Sequence, residues 1–125
     1  MLGFVNKHKS EQISHKNHDE ARAALFSITA AINDGDKKQA RALFNSALPT
    51  LEITGSFGIA ASFAKQLGYA IKAAQLYEKA GDSSKIPSMR DIFYQESLSI
   101  YNETGDVSDS ERVEKKIEAR KARRL

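Results

Sequence analysis

Histidine is the side chain best suited to move a proton or hold a metal near neutral pH, and this chain carries three, His8, His15 and His18. All precede residue 19, in a polar leader. If the leader is helical, His15, His18 and Asp19 fall within about one turn, a spacing that can ligate a metal. A fourth ligand is not evident, and a solvated leader accounts for the spacing without one. The carboxylates Asp34, Asp36, Asp82, Asp106 and Asp109 sit next to turns, where capping explains them. The stretch Gly55-Ser56-Phe57-Gly58 could receive an anion at a helix start. No lysine follows at a useful distance, and a closely packed or flexible helix start is the simpler reading. The chain has no cysteine, so thiolate zinc sites, disulfides and cysteine nucleophiles are excluded together. Nor does it contain GxxxxGK[ST], GxSxG or HExxH. These residues predict a non-catalytic protein with no metal and no cofactor.

Charge offers a second chemistry. The net charge of +3 is uneven: residues 112–125 carry +5, residues 1–18 carry +2, and the middle of the chain carries −4. Lys115, Lys116, Arg120, Lys121, Arg123 and Arg124 could contact phosphates or an acidic surface through salt-sensitive attraction. No aromatic residue is interleaved among them for base stacking, and Glu111, Glu114 and Glu118 supply helix-spaced partners. Nucleic-acid or acidic-surface association is therefore the alternative reading.

These groups need a scaffold, and the apolar pattern supplies one. A chain of 125 residues suits one domain that buries roughly two-thirds of its unfolded surface. Apolar residues are 41% and charged residues 28%, ordinary for a globular protein. No stretch has the length of a membrane span or the look of a signal peptide, so a cytoplasmic location is expected. Apolar residues recur at helical spacing, with no sustained alternation of period two. From Asp19 to Asn33, Ala21, Ala24, Leu25, Ile28, Ala31 and Ile32 share a face. Asp36, with Gln39 three residues on, opens a second helix that buries Ala40, Leu43, Phe44, Ala47 and Leu48 until Pro49 discourages it. A third runs from Leu51, or from Ser56 if Gly55 delays it, to Leu67. The fourth, from Ala70 to Ala80, stops at Gly81-Asp82. The fifth opens at Pro87 and buries Met89, Ile92, Phe93, Leu98 and Tyr101. The sixth opens on the capping box Ser108-x-x-Glu111, and its thin apolar face is Val113, Ile117 and Ala122.

The breaks repeat. Gly35, Gly68 and Gly105 lie 33 and 37 residues apart, each between two helices, which is the mark of stacked two-helix units. GDKKQARALFNSALP aligns with GYAIKAAQLYEKAGD, setting Ala40 on Ala73, Phe44 on Tyr77 and Ala47 on Ala80. With KQLGYAIKAAQLYEKAGD as its strongest unit, the chain resembles the tetratricopeptide (TPR) repeat superfamily over residues 20–118. In the third unit Ser110 and Glu114 replace the small and aromatic residues. The resemblance implies an all-α fold of three stacked antiparallel helix–turn–helix hairpins, a TPR-like α-solenoid. Residues 1–18 would be a flexible leader or an extra helix, residues 19–118 the helical domain, and residues 119–125 a basic tail. It further implies a protein–protein interaction module with a concave groove for a peptide or helix. The family's groove positions fall on Arg22, Leu25, Thr29 and Asn33, then Ser62, Lys65 and Gln66, then Gln95, Ser99, Asn102 and Glu103. The positions at which the family clamps a partner's terminal carboxylate hold Leu25, Thr29, Ile59, Ile92 and Glu96, so that clamp is not expected. Self-association through an end unit is compatible with so short a stack.

Overall fold

The computed structural model describes the backbone of residues 2–123 and the side chains of residues 15–122. The described residues form six helices and no strand: α1 (Leu2–Asn33), α2 (Lys37–Ile53), α3 (Phe57–Gln66), α4 (Ala70–Ser83), α5 (Pro87–Thr104) and α6 (Val107–Arg123). None is long and apolar enough to cross a membrane. The chain divides into two compact units, residues 1–54 and 55–125. In the first, α1 packs on α2; in the second, α3 packs on α4, α4 on α5 and α5 on α6. Within the units the connections are two or three residues long, so consecutive helices reverse direction.

In the first unit, α1 starts at Leu2 rather than Asp19, because from Phe4 to Asn33 no glycine or proline interrupts it. It ends where expected, with Gly35 at φ +75° and the Asp36 amide donating to the Ala31 carbonyl at 3.0 Å. Such a left-handed position is open to glycine at little steric cost. The Asp36 carboxylate accepts the Gln39 amide at 3.1 Å and caps α2. Pro49 does not end α2, which continues to Ile53. The ring removes one ladder bond, but the extra turn buries Leu51 completely, an apolar gain that offsets part of the loss. Ala21, Ile28, Ala31, Ala40 and Phe44 complete the described core of this unit.

The second unit packs around small residues. Ala60, Ala61, Ala64, Ala73 and Ala74 are wholly buried and let α3 and α4 approach closely, with Leu67 and Leu76 filling the remaining space. Gly55, at φ +73°, delays α3 to Phe57. Gly81 was expected to stop α4, yet it lies inside the helix and is buried. The Tyr94 ring occupies the space a Cβ would need, so close that the added carbon would lie 2.5 Å from Cε1. Here the glycine serves close packing, not termination.

The buried stripe of α5 also differs from expectation. Tyr94, Ser97, Ile100 and Tyr101 are buried, whereas Met89 and Ile92 are 39% and 53% exposed. Two polar groups on that stripe find partners: the Ser97 hydroxyl donates to the Ala74 carbonyl at 2.8 Å, and the Tyr94 hydroxyl to Asp82 at 2.7 Å. On α6 the buried stripe is Ser110, Val113, Ile117 and Arg120, while Ala122 is exposed. The helix starts at Val107, one residue before the expected Ser108 cap.

Candidate functional site

The expected partner-binding residues of the second unit all reach solvent. Ser62, Lys65 and Gln66 are exposed on α3, and Gln95, Ser99, Asn102 and Glu103 on α5. Gly58 of α3 lies against the Phe93 ring of α5, where an added Cβ would sit 2.9 Å from the ring, so the two helices are neighbours. Lys65 and Glu96 then pair between them at 3.4 Å. Ile59 on α3 is 48% exposed, and Met89 and Ile92 on α5 share a stripe with Glu96 and Ser99 by helical spacing. The exposed surfaces of α3 and α5 thus carry isoleucines, an ion pair and amide or hydroxyl groups. Asn102 is partly engaged, since its side-chain oxygen accepts the Ser110 hydroxyl at 2.7 Å.

In the first unit, Arg22, Thr29 and Asn33 are exposed on α1. With Leu25, Phe26 and Ala30 they line a shallow depression of about 460 Å³. Phe26 is 74% exposed, although it was not among the expected groove residues. His15 and His18 are exposed, and no three histidine, aspartate or glutamate side chains among the described residues are placed to hold a metal. His8 and Arg124, and the side chain of Arg123, lie outside the described residues.

No known family pattern, no curated protein and no solved structure matches the chain.

The basic helix is arranged differently from a free cationic surface. Glu78 of α4 is buried, and Arg112 grips it with two bonds of 2.6 and 2.9 Å. Lys116 adds a third at 2.7 Å and reaches Asp82 at 3.0 Å. Arg112 also holds Asp109 at 2.6 Å and lies over the Tyr101 ring, while Lys116 lies over Tyr94. Arg120 bonds the Pro87 carbonyl and the Asp91 carboxylate of α5. Apart from Arg120 Nη2, which is buried without a hydrogen-bond partner, the charges are matched and hydrogen-bonded, as groups withdrawn from water must be.

The acid–base consequences follow. The Arg112 guanidinium, helped by Lys116, holds the Glu78 carboxyl below the usual glutamate range against the opposing effect of burial. Burial favours the neutral Lys116 amine, but its bonds to Glu78 and Asp82 more than offset this and raise its pKa. Burial, then the hydrogen bond to Asp82, pushes the Tyr94 phenol well above its ordinary value. All three are locked in one protonation state near neutrality.

Of the six expected tail cations, Lys116 and Arg120 therefore face inward, and only Lys115 and Lys121 stand exposed among the described side chains. Arg112, absent from the expected set, is the centre of the cluster. Glu78 and Arg112 are 34 residues apart in sequence, and no local spacing rule links them.

Proposed function

We propose that this chain is a non-catalytic protein–protein interaction module of the TPR-like α-solenoid type, working in the cytoplasm, whose second unit receives a partner peptide or helix on the α3 and α5 face. The observation that carries the reading is the exposure of Ile59 on α3 and Ile92 on α5, the two helices that the Lys65–Glu96 pair joins. A partner helix meets such a face with apolar anchors at i, i+3, i+4 and i+7, framed by polar contacts. Helices joined by short turns, with glycine breaks at 35, 68 and 105, support the stacked-hairpin architecture. The depression on α1 offers a further contact area in the first unit.

Nucleic-acid binding through α6 has less support, because Lys116 and Arg120 already have carboxylate partners. Affinity capture from the host lysate with quantitative mass spectrometry tests the proposal. Ile92→Glu, with Lys65→Glu as a second variant, should lose a protein partner that Lys115→Glu retains. Recovery of nucleic acid alone, or identical recovery by all three variants, would overturn it.

A further inference from the structure

We propose that the surface of α4 and α5 beneath α6 is a docking site for a basic amphipathic helix, and that α6 occupies it as a displaceable cover. The pattern on α6 is regular. Arg112, Lys116 and Arg120 place a cation at every fourth residue, and Val113 and Ile117 follow the first two. Helical spacing puts all five on one side.

Each cation meets oxygens of the layer below. Arg112 and Lys116 hold Glu78, Lys116 reaches Asp82, and Arg120 bonds Asp91 and the Pro87 carbonyl. Arg112 also lies over the Tyr101 ring, and Lys116 over Tyr94. Arg90, on α5, is turned to the Ser84 carbonyl. In these pairs the cation belongs to α6 and the carboxylate to α4 or α5, so the boundary is polarised.

Such a boundary opens more easily than an apolar one. The aliphatic residues that α6 buries in it are Val113 and Ile117, whereas α4 buries Ala73, Ala74, Leu76, Tyr77 and Ala80. Arg112 and Lys116 are partly exposed, so salt screens their pairs. Separation returns water to Glu78 and to Arg120 Nη2, which is buried without a hydrogen-bond partner while α6 is seated. Gly105 and Asp106 join α6 to α5, with Gly105 at φ +76°. Lifting α6 leaves the carboxylates of Glu78, Asp82 and Asp91 and the rings of Tyr94 and Tyr101 open to a second helix with the same pattern. Ile92 and Glu96 are not part of this site, so its failure leaves the proposed partner face standing.

The test uses the full chain and, as probe, a fluorescent synthetic peptide with the sequence of residues 107–125. Arg112→Gln in the chain weakens the seated helix and leaves the α4 and α5 residues intact. The peptide should therefore bind that variant about tenfold more tightly than the wild type, because the seated helix competes less well. A peptide of the same composition in scrambled order should show no such gain, and adding Glu78→Gln to the variant should remove it. Equal binding of the two peptides, or of the intended peptide to wild type and variant, would overturn the proposal. Amide hydrogen exchange on the unmodified chain needs no variant. Residues 113–119 should open before residues 73–80, and rising ionic strength should lower protection in α6 while α4 keeps its own. Coincident exchange of α6 and α4 at low and high ionic strength would overturn the proposal even if Arg112→Gln does not fold.

Discussion

The two units bury different chemistry. The described core of residues 15–54 is hydrocarbon and aromatic: Ala21, Ile28, Ala31, Ala40, Phe44 and Leu51. The described side chains of residues 55–122 add Glu78, Ser97, Ser110 and Arg120 to a core of alanines, tyrosines and larger apolar residues such as Leu67, Leu76, Ile100 and Val113. A hydrocarbon core is tolerant of small shifts, because its attraction is non-directional. A core that contains a carboxylate gripped by two cations is not, since each buried polar atom needs its partner at one geometry. The second unit is thus the more narrowly specified of the two, and the first is held mainly by packing volume.

Substitutions can break that contrast, and the largest effect is expected in the first unit. Phe44→Ala removes a ring that is 1% exposed and leaves a cavity, at about 4 kcal/mol. Amide hydrogen exchange should then show protection lost through α1 and α2, with α4 to α6 retaining theirs. Equal loss in both units would show that they unfold as one and that the contrast in cores has no energetic meaning.

In the second unit, Glu78→Gln leaves Arg112 and Lys116 facing a neutral amide. Both cations are partly exposed and can rehydrate, so the expected loss is about 2 kcal/mol, within the range for hydrogen bonds to charged groups. The pH dependence identifies the cause. The folded Glu78 carboxyl titrates below its ordinary value of 4.5, so as pH falls through that region the unfolded chain takes up the proton first. Stability from this carboxylate is therefore complete above about pH 4.5 and is lost as pH falls toward the folded value. Thermal unfolding between pH 3 and 7 (an experimental range of roughly four units) should steepen for the wild type at the acid end and flatten for Glu78→Gln. Parallel curves would remove Glu78 from the account.

Gly81→Ala comes next. The added methyl meets the Tyr94 ring at 2.5 Å, and moving the ring also disturbs its bond to Asp82. Overpacking of this kind costs about 1–3 kcal/mol, offset by up to about 1 kcal/mol of helix propensity. A net loss near 1.5 kcal/mol is expected by chemical denaturation. A gain in stability would show that the Tyr94 ring is free to move.

How much of this was legible in the sequence depends on which unit is read. Glycine turns at 35, 68 and 105 and the all-helical character followed from residue type and spacing, because a left-handed cap and a 3.6-residue period are local properties. The buried faces of α1 and α2 followed in part: Ala21, Ile28, Ala31, Ala40 and Phe44 are buried, whereas Ala24, Leu25, Ile32, Leu43, Ala47 and Leu48 are half-buried. Pro49, Gly81 and the α5 stripe did not. Each depends on a tertiary contact that no local rule contains: Leu51 rewarding another helical turn, Tyr94 needing room above Gly81, and hydroxyls of Ser97 and Tyr94 finding acceptors on α4. The candidate face was legible in its polar members, while Arg112 was hidden by its sequence distance from Glu78.

The smallest effect tests this point most directly. Apolar periodicity alone ranks Ile92 as core and Ser97 as surface; the fold reverses them, with Ile92 53% exposed and Ser97 wholly buried. Ile92→Ser should therefore change stability by no more than about 0.5 kcal/mol, as surface substitutions do. Ser97→Ala removes the 2.8 Å bond between α5 and α4 and leaves the Ala74 carbonyl with one partner fewer, at about 1 kcal/mol. Ser97→Val adds volume where α4 and α5 already meet closely and should cost more than Ser97→Ala. The order Val, Ala, then Ile92→Ser is the reverse of the ranking by hydrophobicity, because a buried hydroxyl with an acceptor contributes more at this position than an exposed isoleucine does five residues away.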